Sequence, residues 1–315
     1  MSPRDRIRAS QLEQLIVSFQ ETNGPLPGIL SIEYLRSLVY QLIDSIRRIE
    51  FAHYIRDAPH HPSRMDPNSE LFDPLRAAVL HNRNGNTDEA WWLVFMATHF
   101  GKHPIDGWRL TRDIYGKLGQ GCGLWDWPGI SHNPIAFKAW LENNEDTLRG
   151  GDGVSRRFSN HRKYESLKAR SNKGTAAVLI SYVNWITPPR RHAEIVRELH
   201  QVVGQNPHQV FAALYKSMDS VLRFGRLGKF DFLAMLGKLD IAPVAPGSTF
   251  LSGATGPLAG ARLLFCADRN SEASACHLEE KLVRFSQYTN LPPQALEDAI
   301  CNWQKSPHVH KRFRG

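Results

Sequence analysis

Residues 31–57 read SIEYLRSLVYQLIDSIRRIEFAHYIRD, and the period of that stretch decides the kind of fold. Leu35, Leu38, Val39, Leu42, Ile46 and Ile49 recur at steps of three and four, with Arg36, Gln41, Asp44 and Arg48 between them. This is the spacing of an amphipathic helix, because 3.6 residues per turn returns every third or fourth side chain to one face. Ser31 and Glu33 stand where a capping hydroxyl and an acid would meet free amides and the positive end of the helix dipole.

The same period runs outward through the chain. Helices are expected at 73–80, at 88–99 behind Thr87 as N-cap, and at 108–117, 134–143, 172–186, 193–203 and 207–217. The C-terminal part adds 229–238, 258–266, 274–288 and 292–303, and Pro207, Pro257 and Pro292 each stand where a first helical turn begins, a place proline tolerates. HHPSRMDPN at 60–68 reads as a loop. Leu179–Val183 has the composition of a short strand, but its flanks favour helix, and no other run alternates apolar with polar residues. The expected class is all-α with two helical lobes, and the expected domains are an N-terminal helical extension over 1–60 and the main domain over 61–315 on which it packs.

The chain has 315 residues, 42% apolar and 10% aromatic, enough to bury a substantial core and incompatible with wholesale disorder. Its longest apolar runs, such as Ala176–Ser181, fall far short of the ~20 residues that span a bilayer. Nothing behind MSPRDRIRAS reads as a signal peptide, so the expected setting is intracellular, cytoplasmic and without a membrane. Cys122, Cys266, Cys276 and Cys301 form no Cys-x-x-Cys pair and read as reduced thiols. His99 and His103 have helical spacing, but Gly101 and Pro104 place them across a helix end, so structural histidines are favoured over a metal pair.

Lys and Arg outnumber Asp and Glu by 39 to 31, a surplus that points weakly to a polyanionic partner. Basic residues gather in Arg156–Arg170, Pro189–His192, Arg223–Lys229 and Lys311–Arg314, with Phe158, Tyr164, Phe224 and Phe313 among them. The mixture suits phosphate contacts with base stacking, and equally a solvated charged face. Gly-rich connections at 116–129 and 149–153 carry no Gly-Lys-Ser/Thr ending and follow no strand, which excludes a P-loop or dinucleotide fingerprint. The first is a loop over a pocket or an interhelical turn packed by Trp125 and Trp127; the second reads as a link between lobes.

Four segments carry groups suited to chemistry. In KFDFLAMLGKLDIAPVAPGSTFLSGATGPLAGARLLFCA (229–267), a helix, a Pro/Gly-rich connection and a Gly-Ala-Thr-Gly-Pro turn precede a helix opening at Pro257. Gly253 and Gly256 permit positive φ, and free amides there would seat a phosphate oxygen. An ordinary interhelical turn fits as well. In LPPQALEDAICNWQKSP (291–307), Glu297, Asp298, Asn302 and Gln304 make one side polar; Asp298 suits a proton acceptor, or an ion pair with Lys305. In TDEAWWLVFMATHFGKHPIDGWRLTR (87–112), His99, Lys102 and His103 would emerge at the end of a buried helix, followed by Trp108 and Arg109. They form a pocket wall or a stabilised helix end. In NHRKYESLKARSNKGTAAVLISYVNWI (160–186), Arg162 and Lys163 suit phosphate recognition, or a solvated face.

Together EAWWLVFMATHFGKH with Gly107 and Trp108, WDW at 125–127, NHRKYESL, TGPLAGARLLF and LEDAICNWQKSP resemble the third clade of the alpha-glutamyl/putrescinyl thymine pyrophosphorylase family, from about Leu26 to Gly315. The resemblance implies a helix-hairpin-helix DNA glycosylase-like fold with its hairpin near 251–262. The usual hairpin has one residue between its glycines, whereas Ala254 and Thr255 both intervene here. It also implies a DNA substrate in which 5-hydroxymethyluracil, activated as its pyrophosphate, is attacked by an amine.

On that reading Asp298, His99 and Lys102 are the catalytic set. Trp108, Trp125, Trp127, Arg162, Lys163 and Asn302 bind substrate, and Gly253, Thr255, Gly256 and Arg262 hold the DNA backbone. No cofactor or metal is required, and a divalent cation is compatible. The partners expected are DNA, through phosphates and a flipped base, and a small amine. Glycosylase-like excision of a base, or DNA binding without catalysis, are the competing functions.

Overall fold

A computed structural model describes residues 2–121 and 123–312; Cys122, Phe313 and Arg314, named above, lie outside the described residues. Among those described there are fourteen α-helices and no strand. They are α1 (Pro3–Asn23), α2 (Ile32–Asp57), α3 (Pro74–Arg83), α4 (Thr87–Phe100), α5 (Arg109–Tyr115), α6 (Trp127–His132) and α7 (Pro134–Asn143). Then follow α8 (Thr175–Ile186), α9 (His192–Val203), α10 (Pro207–Ser217), α11 (Arg226–Lys238), α12 (Gly256–Cys266), α13 (Ala275–Thr289) and α14 (Pro293–Trp303).

The all-α class and most element positions agree with the periodicity, including the helical form of 179–183. Local chemistry moves several ends. Asn86, not Thr87, precedes the first turn of α4. Pro292 is the cap of α14 and Pro293 takes its first turn. Helix α8 opens only at Thr175. Two helices escape a search for apolar stripes. In α1 a Ser2–Asp5 capping box and Pro3 start the helix. In α6 Asp126 accepts from the Gly129 amide, and Trp127–Pro128 opens a helix of six residues, too short for periodicity to register.

Contacts divide the chain into two compact units, Met1–Ala52 with Pro246–Arg314, and His53–Ala245. The break expected between 60 and 61 is a different division, drawn from prolines and polar residues in the sequence.

In the first unit the apolar stripe of α2 is sealed: Leu38, Val39, Leu42 and Ile43 are buried with Ile16, Phe19, Leu282, Phe285 and Trp303. Phe19 meets Phe285 edge to face, ring centroids 5.0 Å apart. Helix α12 lies against backbone on two sides. A Cβ at Gly260 would stand 2.3 Å from the Ile300 carbonyl oxygen, and one at Gly28 would stand 2.0 Å from that of Leu263. Only glycine allows such approach, which accounts for Gly28 and Gly260.

In the second unit α4 is the central element, with Ala90–Met96 buried on every side. Phe95 stacks on Tyr182 at 3.8 Å and on Phe224 at 4.5 Å.

Candidate functional site

The site begins where α4 stops. Gly101 has φ +66°, and a Cβ there would lie 2.0 Å from Ser159 Oγ; the Ser159 amide donates to the Phe100 carbonyl at 2.9 Å. The chain thus turns sharply at Gly101 and brings Lys102 to the surface. His103 and Gly107 then exchange two backbone hydrogen bonds of 2.9 Å. Inside that turn His103 Nδ1 accepts from the amides of Ile105 (3.3 Å) and Asp106 (3.1 Å), so in the neutral ring the proton sits on Nε2. The turn delivers Trp108 to the start of α5, where Arg109 and Arg112 share a face at i, i+3 spacing.

Lys102, Gly107, Trp108, Arg109 and Arg112 line a cleft of about 240 Å³ with Arg64, Glu70, Phe72, Asp73 and Asp106. Its acids are largely committed. Asp73 caps α3, accepting from the Leu75 and Arg76 amides at 3.1 Å, and pairs with the Arg76 side chain. Asp106 accepts a two-pronged Arg157 guanidinium at 2.8 and 2.9 Å; that bond above all, with Ser155 adding to it, pulls its carboxyl down to about 2. Glu70 is 97% exposed and 3.9 Å from Arg112.

The cations are less committed. Arg64 donates to the Leu71 carbonyl (2.8 Å) and Arg109 to the Ser155 carbonyl (3.3 Å), contacts that orient a guanidinium without neutralising it. Arg112 uses Nε on Asp113, and the Lys102 ammonium lies 6.0 Å from the Trp108 ring centre. The Trp108 N–H is buried with no acceptor among the described residues.

The other residues expected at a site fall elsewhere. His99 does not emerge at the end of α4. It is 1% exposed, its Nε2 lies 3.2 Å from Thr175 Oγ1, and burial, then the nearby Arg162 and Arg223, holds its pKa well below the ordinary value. A neutral, sealed imidazole supplies no charge to a leaving group in this conformation. Trp125 and Trp127 are buried too: Trp125 packs on Phe137 and Trp127 on His192. Both are core rings here, not walls of an open pocket. Arg162 is buried over the Phe224 ring at 5.1 Å; burial lowers its pKa, opposed by the Asp231 and Glu165 carboxylates. Lys163 is exposed beside Tyr164, 5.1 Å from its ring centre.

Most of the basic clusters are neutralised by neighbours. Arg156 binds Asp113 (2.6 Å) and Asp152 (2.7 Å), Arg191 binds Asp88 (2.8 Å), Arg223 binds Glu165 (3.2 Å), Lys229 pairs with Asp219 and Arg170 with Glu142. These are structural pairs rather than open phosphate contacts.

In the first unit Asp298 sits on α14 facing α2. Its Oδ2 accepts from Ser45 Oγ (2.7 Å) and from the Arg48 guanidinium, Nε at 2.7 Å. Its Oδ1 accepts from Asn302 Nδ2 at 3.0 Å, and Lys305 donates to the Asn302 oxygen at 3.0 Å. The carboxylate is thus anchored through Oδ2 by Arg48, and its side chain is 35% exposed.

Gly253 takes φ +72° with no atom near its missing Cβ, and Thr255 beside it is exposed. Gly256 departs from the expected positive φ: it is the first residue of α12, and a Cβ there would lie 2.6 Å from Cys301 Sγ. Arg262 donates to the Ala273 carbonyl at 3.2 Å. The helices flanking the 239–255 connection, α11 and α12, belong to different units.

Sequence reasoning missed two buried polar networks and two cleft arginines, Arg64 and Arg112. Glu89 is 2% exposed and accepts from Tyr115 (2.8 Å) and from the Trp127 amide (2.7 Å); burial pushes its carboxyl up to about 7. Asp88 Oδ1 accepts from the His192 amide (2.9 Å) and lies 2.8 Å from its Nδ1, while His192 Nε2 lies 2.8 Å from the Tyr182 hydroxyl. Burial opposes the Asp88 charge, but His192 and Arg191 outweigh it and keep the carboxyl low. Arg112 had a signal, the i, i+3 spacing from Arg109 beside Trp108, whereas Arg64 lies in an aperiodic loop with none. Among the described residues no group of three or more His, Cys, Asp or Glu stands ready to hold a metal, and no helix is long and apolar enough to cross a membrane.

Fold and cleft define an all-α protein with a cationic recess beside a tryptophan. The chain belongs to the alpha-glutamyl/putrescinyl thymine pyrophosphorylase family, clade 3, whose family model matches residues 33–315. Comparison with curated proteins and with solved structures gives no match.

Proposed function

We propose that this protein modifies thymine-derived bases in DNA. An amine attacks the 5-methylene carbon of a 5-hydroxymethyluracil activated as its pyrophosphate. The carbon–oxygen bond breaks, its electron pair leaves with pyrophosphate, a carbon–nitrogen bond forms, and the nitrogen loses one proton. Family membership over 33–315 is the observation that carries this reading. Departing pyrophosphate needs positive charge that is oriented beforehand, and within the second unit the Lys102 ammonium and the arginines beside Trp108 carry such charge.

In this reading Asp298 takes the proton from the amine. Its Oδ2 is fixed by Arg48 and Ser45, which leaves Oδ1, beside Asn302, as the accepting oxygen. Lys163, and the exposed Gly253 and Thr255, contribute backbone phosphate contacts, which set position without reading sequence. The target base leaves the duplex stack to react. No cofactor is called for; a divalent cation enters the assay as a variable.

Asp298→Asn tests the assignment. Amine-dependent product should fall by about 10²–10⁴-fold, the usual contribution of a positioned base, while affinity for the same DNA stays within twofold or so of the unaltered chain. A variant of unchanged melting temperature that keeps full turnover removes Asp298 from the mechanism.

A further inference from the structure

In the cleft beside Trp108 most cations are held by carbonyls or lie near a ring, unlike the ion-paired arginines of the main basic clusters. Arg156, Arg157, Arg170, Arg191, Arg223 and Lys229 each face a carboxylate, while Arg162 and Lys163 lie over single rings and do not gather around one cleft. In the cleft Arg64 and Arg109 are held by the carbonyls of Leu71 and Ser155, and Lys102 lies near an indole ring. A carbonyl fixes a guanidinium while its full charge persists, so these groups stand oriented and uncompensated. Of the acids lining the cleft, Asp106 and Asp73 are spent on Arg157 and on the α3 cap with Arg76, and Glu70 stands exposed 3.9 Å from Arg112, the one cation of the four that also pairs with a neighbouring carboxylate, Asp113.

Size narrows the ligand. About 240 Å³ lies below the ~300 Å³ where drug-sized sites begin, so the cleft suits a compact polyanion of several oxygens. Four cationic side chains, Arg64, Lys102, Arg109 and Arg112, line it, more than one phosphate group needs. The rigid 103–107 turn and the short α5 fix two of its walls before any ligand arrives.

We propose that this cleft is a binding site for free inorganic pyrophosphate, occupied without DNA or amine, so that the protein retains its own leaving group and is inhibited by it. Arg64, Arg109 and Arg112 are the specificity residues and Trp108 the adjoining ring. The inference rests on the transferase reading. It also implies that a pyrophosphate-consuming hydrolysis must accompany sustained turnover.

The experiment is a calorimetric titration of the full chain with sodium pyrophosphate, orthophosphate, sulfate and a short single-stranded oligonucleotide, at fixed ionic strength. Intrinsic fluorescence is followed in parallel. Pyrophosphate should bind at least about tenfold tighter than sulfate or orthophosphate, as expected for multiple charge-assisted hydrogen bonds. Arg64→Ala and Lys102→Ala should each weaken it several-fold, and Trp108→Phe should abolish the fluorescence change. Arg112→Gln serves if either alanine variant melts early.

Pyrophosphate binding no tighter than sulfate, or undiminished in the variants, overturns the proposal. So does an oligonucleotide that binds through these residues where pyrophosphate does not, which would make the cleft a backbone-phosphate contact. The two readings separate cleanly. Amine-dependent product without pyrophosphate affinity sinks the retention site alone, whereas pyrophosphate binding with no new nucleoside in any mixture sinks the transferase and leaves an anion site.

Discussion

The Arg156 guanidinium holds Asp113 and Asp152 with its side chain 5% exposed, whereas Lys102, some fifty positions earlier, stands exposed with no carboxylate among its described partners. Both sit in basic, aromatic-rich sequence, and composition does not separate them. What does is partner choice, which depends on residues distant in the chain. Arg156→Ala should therefore cost about 3 kcal/mol, the order for breaking a buried ion pair, and leave DNA affinity unchanged. Lys102→Ala should stay within about 0.5 kcal/mol in stability yet lower the yield of modified base. Thermal melts and product assays on the two variants check this; the reverse pattern would exchange their roles.

Glu89 belongs to the same scale. Its carboxyl ordinarily titrates near 4.5 and in the fold near 7, so the folded state binds the proton more tightly than the unfolded one. Stability from this group is full below about 4.5 and is lost as pH climbs toward 7, by about 3 kcal/mol for a gap of that size. Glu89→Gln mimics the protonated acid, because its amide can donate to the Tyr115 oxygen while its carbonyl accepts from the Trp127 amide. Denaturant melts of the variant should lose that slope between pH 4.5 and 7, and an unchanged slope would assign the pH dependence elsewhere.

At the scale of elements, how much could be read from sequence follows from what a helix repeats. Long apolar stripes such as that of α2 announced themselves, and so did helices opened by proline, such as α10. Six-residue α6 did not, since less than two turns leave no period. Polar positions are ambiguous in a specific way: Gln41 and Asp44, which lie between the apolar residues of α2, and Ser45 beside them are buried. They meet the Lys311 carbonyl, His310 and Asp298. A pattern of polar residues shows that a face is polar, not that it meets solvent.

The glycines of α12 carry a further prediction. At Gly260 the missing Cβ would collide with the Ile300 backbone oxygen at 2.3 Å, which no rotamer can relieve. Gly260→Ala should destabilise the first unit by about 1–3 kcal/mol or more. A drop in its denaturation midpoint tests this; no change would mean that α12 and α14 are farther apart than described.

For the whole molecule, one half of the candidate chemistry was legible and the other half was not. Lys102 and Trp108 could be picked out because they follow a helix too apolar to be anything but core. Asp298 was legible as an acid on a polar helix side, though its anchor, Arg48, lies some 250 positions away. His99, Trp125 and Trp127 looked equally suitable and are sealed in the core, because residue type says what a group can do and only packing says whether it is reached.

The central claim, that bases in DNA gain an amine as pyrophosphate leaves, meets its most direct test in one assay. The purified protein is incubated with oligonucleotides bearing uracil, 5-hydroxymethyluracil or its pyrophosphate. Each is run with and without putrescine or glutamate, with and without magnesium, and read by nucleoside mass spectrometry. The account predicts a mass gain only for the pyrophosphate-bearing strand with amine present, accompanied by released pyrophosphate. An abasic product would instead make the protein a glycosylase, and binding with no new nucleoside in any mixture would contradict catalysis altogether.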